Sequence, residues 1–381
     1  MMKNIGIIGA TGQIGRILLE ISMDLQNIKI IAGSRNIEKI KSKYSNSDKL
    51  EIVKVNVYNE KQLHSFVSKC DLVVNCSSPA SELSVIIAKI CIEKKVDFID
   101  LSGDMDLREY AINNKDVITK NKIRIVLSSG LHPGFTEIFP KFIAQKYKEN
   151  IAIREFFCCC GEISKMAAKD FIHGIKENQG LGMRMYSHGI TKKLENIQLD
   201  YIDKLKHEKM FKETYPSISF EMIEMSNKEK NLDTFEFYTA FPNKNIFNVL
   251  MDIRIKTILG REINEDMSAD MLLNAYREMT QYYGKTLMIK IFVSNSNDTK
   301  DYIDFIFSGE NEVVSATVAY SVKDKLLTKC VIDSLLKNRI NDYGVFYSFE
   351  VVNCEKVVNM LIQQGAYLQM NKNNKEIYKN E

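Results

Sequence analysis

Ile5-Gly6-Ile7-Ile8-Gly9-Ala10-Thr11-Gly12-Gln13-Ile14-Gly15 is the stretch whose reading decides the rest. A short apolar strand runs straight into three glycines, each separated by two residues. A helical pattern begins at Ile14 and continues through Leu18, Leu19, Ile21 and Met23. Strand, glycine turn and helix, in that order, are the context a dinucleotide-binding turn requires. Gly9 and Gly12 let the backbone turn tightly and keep side chains away from a pyrophosphate. Gly15 lets the helix sit close to the sheet. Thr11, Gln13 and Ile14 complete the turn. The helix N-terminus offers unpaired N–H groups and a partial positive charge to the phosphates. A plain glycine turn without a ligand, or a degenerate scaffold, is the competing reading.

The next strand, Ile28 to Gly33, ends in Ser34-Arg35-Asn36. An acidic residue here would accept hydrogen bonds from the ribose hydroxyls of NAD and repel a 2′-phosphate. This chain has Ser34 and Arg35 instead, followed by Lys39 and Lys41. A guanidinium beside a small hydroxyl suits a phosphate dianion, so NADP(H) is the expected cofactor. Further strands are expected at 50–55, 71–76, 97–101 and 123–127, with helices at 61–69, 80–94 and 105–114. The strand ends carry Asn56-Val57, Ser77-Ser78-Pro79, Ser102-Gly103-Asp104 and the turn Gly130-Leu131-His132-Pro133-Gly134-Phe135. Ligands bind at such carboxyl ends in open α/β sheets. The alternation predicts a doubly wound parallel sheet with helices on both faces, over residues 1–150.

From Ile151 the pattern changes. A strand is expected at 151–160, then a helix capped by Ser164 and broken at Gly180-Leu181-Gly182. Strands at 183–188, 220–224, 234–240 and 288–293 and helices at 244–258 and 267–283 predict an α+β domain over 151–320. Its sheet is expected to be mixed, with helices on one face. Residues 301–320 read as a hairpin turning at Gly309-Glu310-Asn311, 322–337 as a helix, and 354–365 as a short helix. Residues 321–370 are expected to pack back on the first domain, and 371–381 to form a disordered tail.

Composition narrows the function. Charge is nearly balanced, 52 basic against 49 acidic residues, and no basic stripe carries interleaved aromatics, so nucleic-acid binding is not expected. Apolar runs are too short to span a bilayer, and a glycine-turn strand stands where a signal segment would, so a cytoplasmic protein without a membrane partner is expected. The eight cysteines lack zinc-ligand spacing and read as small buried hydrophobes; no metal is expected.

These segments, together with Phe98-Ile99-Asp100-Leu101-Ser102-Gly103 and the Ala167-Ala168-Lys169-Asp170 helix, resemble the saccharopine dehydrogenase-like NADP-dependent reductases. The likeness covers most of residues 1–190 and is thin afterwards. It implies a Rossmann domain and an α+β second domain that holds substrate and carries a homodimer contact. It also implies hydride transfer to an imine or carbonyl carbon of an amino-acid- or amine-derived substrate. The substrate half departs from better-known members, with no match to the groups that hold an amino-acid carboxylate or amine. A non-catalytic NADP(H)-binding regulator and an atypical short-chain reductase acting on C=O or C=C remain as alternatives.

Hydride transfer asks the protein for positioning and one proton donor. His132 is the first candidate, with Asp104 and Tyr186 behind it; a capping or binding role for His132 competes with the catalytic one. Asp100 more naturally fixes its strand end. The expected cofactor contacts are Gly9, Thr11, Gly12, Gln13, Ile14, Ser34, Arg35, Asn56, Val57, Ser77, Ser78, Pro79 and Ser102. Expected substrate contacts are Gly103, His132, Phe135, Asp170 and His173, the last two sharing a helix face.

Overall fold

The computed structural model describes residues 3–23, 27–44, 48–177, 180–194, 205, 208–295, 300–327, 343–372 and 375–379. The chain divides into two compact units, Met1–Phe135 with Glu312–Asn353, and Thr136–Asn311 with Cys354–Glu381.

The first unit starts β1 (Lys3–Ile8), α1 (Gln13–Met23), β2 (Ile28–Ser34), α2 (Glu38–Tyr44), β3 (Leu50–Lys54) and α3 (Glu60–Val67). It continues β4 (Leu72–Asn75), α4 (Ala80–Lys94), β5 (Asp97–Asp100), α5 (Met105–Asn113), α6 (Lys115–Lys120) and β6 (Arg124–Leu127). The sheet runs β6-β5-β4-β1-β2-β3, with strand Gly344–Tyr347 added beside β6. Every pairing in it is parallel. Its strands are apolar almost throughout because both faces are covered. Ile5, Ile7, Ile30, Ala32 and Val74 meet Leu18 and Leu19 of α1 in one core. Each buried Ile, Leu or Val side chain among them contributes about 1.5–3 kcal/mol. The helix Glu312–Leu327 completes that core through Ala316, Ala319, Val322 and Leu326.

The second unit holds a mixed sheet. Its order is Ile190–Lys193, Arg184–Ser187, Leu232–Phe241, Ile151–Cys160, Thr286–Asn295, Lys300–Ser308, Tyr367–Lys372, Lys375–Lys379. Leu232–Phe241 runs parallel to Ile151–Cys160; the other pairings along this order are antiparallel. Phe156, Cys158 and Cys160 face a core built with the helices Lys165–Lys176, Asn245–Ile258 and Glu265–Tyr283. The opposite face is covered too. Phe139, on the helix Phe135–Ala144, packs on Phe305 with ring centroids 5.2 Å apart. Helices on one face alone were expected; the buried Phe305 and Phe307 required a second cover.

Other expectations are corrected by tertiary context. Residues 220–228 form a helix, not a strand, because Ser219 accepts from the Met222 N–H and Met222 and Met225 fall on one buried side. The hairpin at 301–320 is a strand followed by a helix. Strand 300–308 pairs backwards with 286–295, and the β-branched run from Val314 is enclosed on nearly all sides as helix Glu312–Leu327. A helix buried all round carries no amphipathic period to read. The unit boundary falls at 135 rather than 150. Residues 312–353 join the first unit, and 354 onward belong to the second, not to the first. Residues 375–379 form a strand paired with 367–372 instead of a disordered tail. Cys330 and the second half of the expected 322–337 helix lie outside the described residues. Cys70, Cys91, Cys158, Cys160 and Cys354 are buried as free thiols. Among the described residues no helix is long and apolar enough to cross a membrane.

Candidate functional site

The glycine turn shows why each of its glycines is there. Gly9 has φ +83°, and a Cβ on it would lie 2.7 Å from the Cys76 carbonyl oxygen at the end of β4. A Cβ on Gly15 would lie 2.3 Å from the Gly9 carbonyl oxygen, so α1 starts hard against the turn. Gly12 is different. It is exposed, and a Cβ there would meet the Gly9 oxygen at 3.2 Å and nothing else closer than 4.0 Å. The internal packing of the turn demands glycine at 9 and 15, while the open backbone at 12 is the cradle a pyrophosphate needs. The N–H groups of Gly9 and Ala10 donate to the Gly33 oxygen at 3.0 and 3.2 Å, tying the turn to the end of β2. Gln13 and Ile14 open α1 and place its N-terminal N–H groups there.

At the end of β2 the Thr11 and Ser34 hydroxyls meet at 2.7 Å. The Asn36 N–H donates to the Ser34 Oγ at 3.3 Å. Arg35 is exposed, its guanidinium close enough to act on the Tyr58 phenol. That phenol donates to Glu82, which raises its pKa against the opposing charge of Arg35. No carboxylate stands on β2 where it would repel a 2′-phosphate. Asn56 is occupied in its own turn, its Oδ1 accepting from the Tyr58 N–H at 3.2 Å, and Val57 is buried.

Beneath the ends of β4 and β5 lies a closed polar network in which Asp100 fixes its strand end, as expected, through the Ser102 N–H, and in which Asn75 is the member sequence reasoning missed. Asn75, 2 % exposed, donates from Nδ2 to Asp100 Oδ2 at 2.8 Å and to Ser84 Oγ at 3.2 Å. Its Oδ1 accepts from the Ser77 N–H at 3.0 Å and from the Ser77 hydroxyl at 2.5 Å. Asp100 Oδ1 accepts from both the N–H and the hydroxyl of Ser102. Burial raises the Asp100 carboxyl, and the bonds from Ser102 and Asn75 oppose that rise. Ser77 and Ser102, both candidate cofactor contacts, are thus held at matching strand ends by one buried bracket. Ser78 and Pro79 follow directly, Pro79 standing just ahead of α4. Asn75 gave a signal only as a polar residue ending an apolar strand.

The turn after β6 folds across itself. The Gly130 N–H donates to the Pro133 oxygen at 3.2 Å and the Phe135 N–H to the Gly130 oxygen at 3.0 Å. A Cβ on Gly134 (φ +130°) would lie 2.2 Å from the Gly130 oxygen, and one on Gly130 would lie 2.6 Å from the Leu101 oxygen. The crossing presses the turn onto residue 101, beside Ser102 and Gly103, and seats Phe135 in the interior. His132 is the exposed member of the turn. Protein crowded around it pulls the imidazole below its usual value, to about 4. Water on the exposed ring tempers that fall, and the imidazole is neutral at pH 7 either way. Asp104 is 7 % exposed and caps α5, accepting from the Leu107 N–H at 3.3 Å. Burial, then the charge of Asp100, lift its carboxyl to about 7. Asp104 therefore holds a proton at neutral pH more readily than His132, reversing the order expected from residue type alone.

Tyr186 lies on the strand Arg184–Ser187 and is 5 % exposed within the second unit, paired with Phe235 and Thr191. Asp170 and His173 stand on the helix Lys165–Lys176, half-buried, and His173 Nε2 is enclosed without a hydrogen-bond partner among the described residues. The second unit also carries buried charges the sequence did not flag. Arg154 pairs with Glu236 at 2.9 Å, and Tyr238 donates to Glu236 at 2.5 Å. Lys290 pairs with Asp304 at 2.6 Å and with Glu208 at 3.0 Å. Their alternation with Phe156 and Phe292 hid them as ordinary strand residues.

Residues 5–126 match the family model of the saccharopine dehydrogenase NADP binding domain, an NADP-binding domain. No curated protein matches the sequence of the chain. In fold, the chain is similar to apo saccharopine dehydrogenase (L-Glu forming) from Saccharomyces cerevisiae, with a TM-score of 0.59 at 11% identity, covering 97% of this chain and 99% of that one. A meso-dapdh mutant with DAP from Clostridium tetani covers 93% of this chain and 95% of its own at 11% identity and a TM-score of 0.41. A Rossmann-fold NAD(P)-binding family protein from Shigella flexneri covers 33% of this chain and 67% of its own at 22% identity and a TM-score of 0.28. The matched domain supports an NADP-dependent oxidoreductase.

Proposed function

We propose that this chain, which belongs with the saccharopine dehydrogenase-like proteins through its NADP-binding domain, is an NADPH-dependent reductase. Its substrate is an imine or carbonyl carbon of a small amino-acid- or amine-derived molecule. The observation that carries the reading is the pairing of an open Gly12 backbone with Ser34 and Arg35 in place of an acidic residue. Gly9, Thr11, Gly12, Gln13 and Ile14 would hold the pyrophosphate, Ser34 and Arg35 the 2′-phosphate, and Ser77, Ser78, Pro79 and Ser102 the nicotinamide ribose. When bound, the nicotinamide supplies the hydride.

The rest belongs to the chain's own residues. Asp104, protonated near neutral pH, supplies the proton that the developing amine or alkoxide takes up. His132, neutral and exposed on its crossed turn, accepts a hydrogen bond or relays a proton. The strand-end bracket of Asn75 and Asp100 keeps Ser77 and Ser102 in fixed positions, so that binding spends little on ordering them. The second unit would serve as substrate and dimer domain, with Asp170 and His173 toward the substrate; Phe135, wholly buried, is not a substrate contact.

Thermal unfolding in parallel with NADPH, NADP⁺, NADH and NAD⁺ tests the cofactor, since a ligand that binds only the folded state raises the transition temperature. NADPH and NADP⁺ should give the larger shifts. NADPH oxidation in mixtures of amines with keto acids or aldehydes then tests the chemistry. Turnover that requires the amine supports imine reduction. Turnover with the carbonyl compound alone moves the reading to ketone reduction, and NADPH binding without any turnover favours a regulator.

A further inference from the structure

The segment that returns to the first unit ends in strand Gly344–Tyr347 and the short helix Ser348–Val351. It comes from more than two hundred positions away in sequence and touches both elements that carry the candidate proton-handling groups. Tyr347 pairs with Leu127, the last residue of β6. Ser128, the next residue, has φ +54°, a left-handed conformation that a serine adopts at a cost. Its carbonyl is turned toward the Ser348 hydroxyl, which donates to it at 2.6 Å. Both residues are buried, at 2 % and 1 % exposure. Tyr347 makes the second link. Its hydroxyl accepts from Arg108 Nε at 2.8 Å, and Arg108 stands on α5, the helix that Asp104 caps. Tyr347 is itself held: its N–H donates to Glu350 at 2.8 Å and its ring stacks on Phe349.

We infer that Ser348 and Tyr347 are positioning residues: Ser348 sets the conformation from which the His132 turn departs, and Tyr347 sets the helix that carries Asp104. The inference rests on reading His132 and Asp104 as the proton-handling groups. The physical case is direct. A left-handed serine persists where its surroundings over-determine it, and a short hydrogen bond to its carbonyl does that. Four residues beyond Ser128 stands His132, so a small rotation at 128 is magnified at the imidazole. The strand at 344–347 supplies the rigid frame, because it is hydrogen-bonded along β6 and cannot shift by less than a register step.

The test uses the full-length protein with ¹³C-labelled histidine. The His132 ring cross-peak is identified by its disappearance in His132→Gln. In Ser348→Ala, that cross-peak should move while those of His64 and His188 stay in place. NADPH affinity should remain within about twofold, because the Gly9 turn is untouched. With any substrate found, kcat should fall roughly tenfold, the weight of one hydrogen bond, with KM for NADPH unchanged. Ser348→Thr, which keeps the donor, should restore both readouts. Should Ser348→Ala not fold, Ser348→Cys, with a weaker donor, is read the same way. A folded Ser348 variant whose His132 cross-peak superimposes on the wild type overturns the inference. Loss of the functional reading is separate: if His132→Gln keeps full turnover, His132 is not a proton-handling group, whatever the spectra show of its position.

Discussion

Lys323 sits in the helix that docks on α1 and is wholly buried. Its Nζ donates to Ser22 Oγ at 2.9 Å and stands 4.1 Å from the Tyr320 ring. Among the described residues no carboxylate is one of its hydrogen-bond partners, and burial lowers the ammonium from 10.5 to about 7, against a smaller opposing effect of Asp324. The folded state releases this proton near pH 7, whereas the unfolded chain keeps it to about 10.5. Across that window the unfolded state binds more protons, so raising the pH stabilises the fold through this group, and the penalty is largest below the folded pKa. One pKa unit is about 1.4 kcal/mol, which places the penalty at roughly 4 kcal/mol at pH 7 and about 2 kcal/mol at pH 9. Lys323→Met keeps the volume and removes the charge, and gives up about 1 kcal/mol with the Ser22 hydrogen bond. The variant should therefore be more stable by about 3 kcal/mol at pH 7 and about 1 kcal/mol at pH 9. Native-state amide exchange in α1 and in Glu312–Leu327, comparing variant with wild type at each pH, reads the first unit by itself. A Lys323→Met protein that is destabilised by the same amount at both pH values would refute the reasoning, because the ammonium would then not be carrying a desolvation penalty.

Gly15→Ala brings a Cβ to 2.3 Å from a backbone oxygen and should cost about 3 kcal/mol or more in thermal or urea unfolding. Gly12→Ala meets one neighbour at 3.2 Å and should cost less than about 1 kcal/mol, yet weaken NADPH binding at least tenfold; equal losses of stability in the two variants would argue against a ligand at Gly12. Arg35→Glu should raise the Kd for NADPH by roughly tenfold or more, the weight of a charge-assisted hydrogen bond, and leave NADH binding much less affected in a direct titration. Asp104→Asn keeps a capping side chain but cannot ionise. Because the folded Asp104 pKa is raised to about 7, wild-type stability falls as pH rises from the ordinary carboxylate range through that value. The variant should gain stability relative to wild type at pH 8 and lose turnover at every pH, whereas full turnover would remove Asp104 from the chemistry.

The parallel sheet, the positions of its first six strands along the chain and the glycine turn are legible in the sequence because each rests on local physics. Apolar runs of strand length alternate with helical periods, and glycines recur where a backbone must pass close to something. That the end of β2 carries Ser34 and Arg35 and no acidic residue is legible for the same reason: the composition of one strand end needs no distant residue. What the chain by itself left open depended on long-range contact. The run from Val314 looks like a strand in isolation and becomes a helix because α1 and the sheet enclose it on nearly every side, erasing the period. Residues 375–379 look polar and free until an edge strand pairs with them. Asn75 and Ser348 carry no motif; each matters through a partner 25 or 220 positions away. The ranking of proton donors was likewise undecidable before folding. Residue type favours His132, but surroundings are a property of the tertiary structure: burial lifts Asp104 to about 7, while the protein crowded around the exposed His132 draws its imidazole down. Sequence determined which side chains the strand ends present; only the packed chain decided which of them holds a proton.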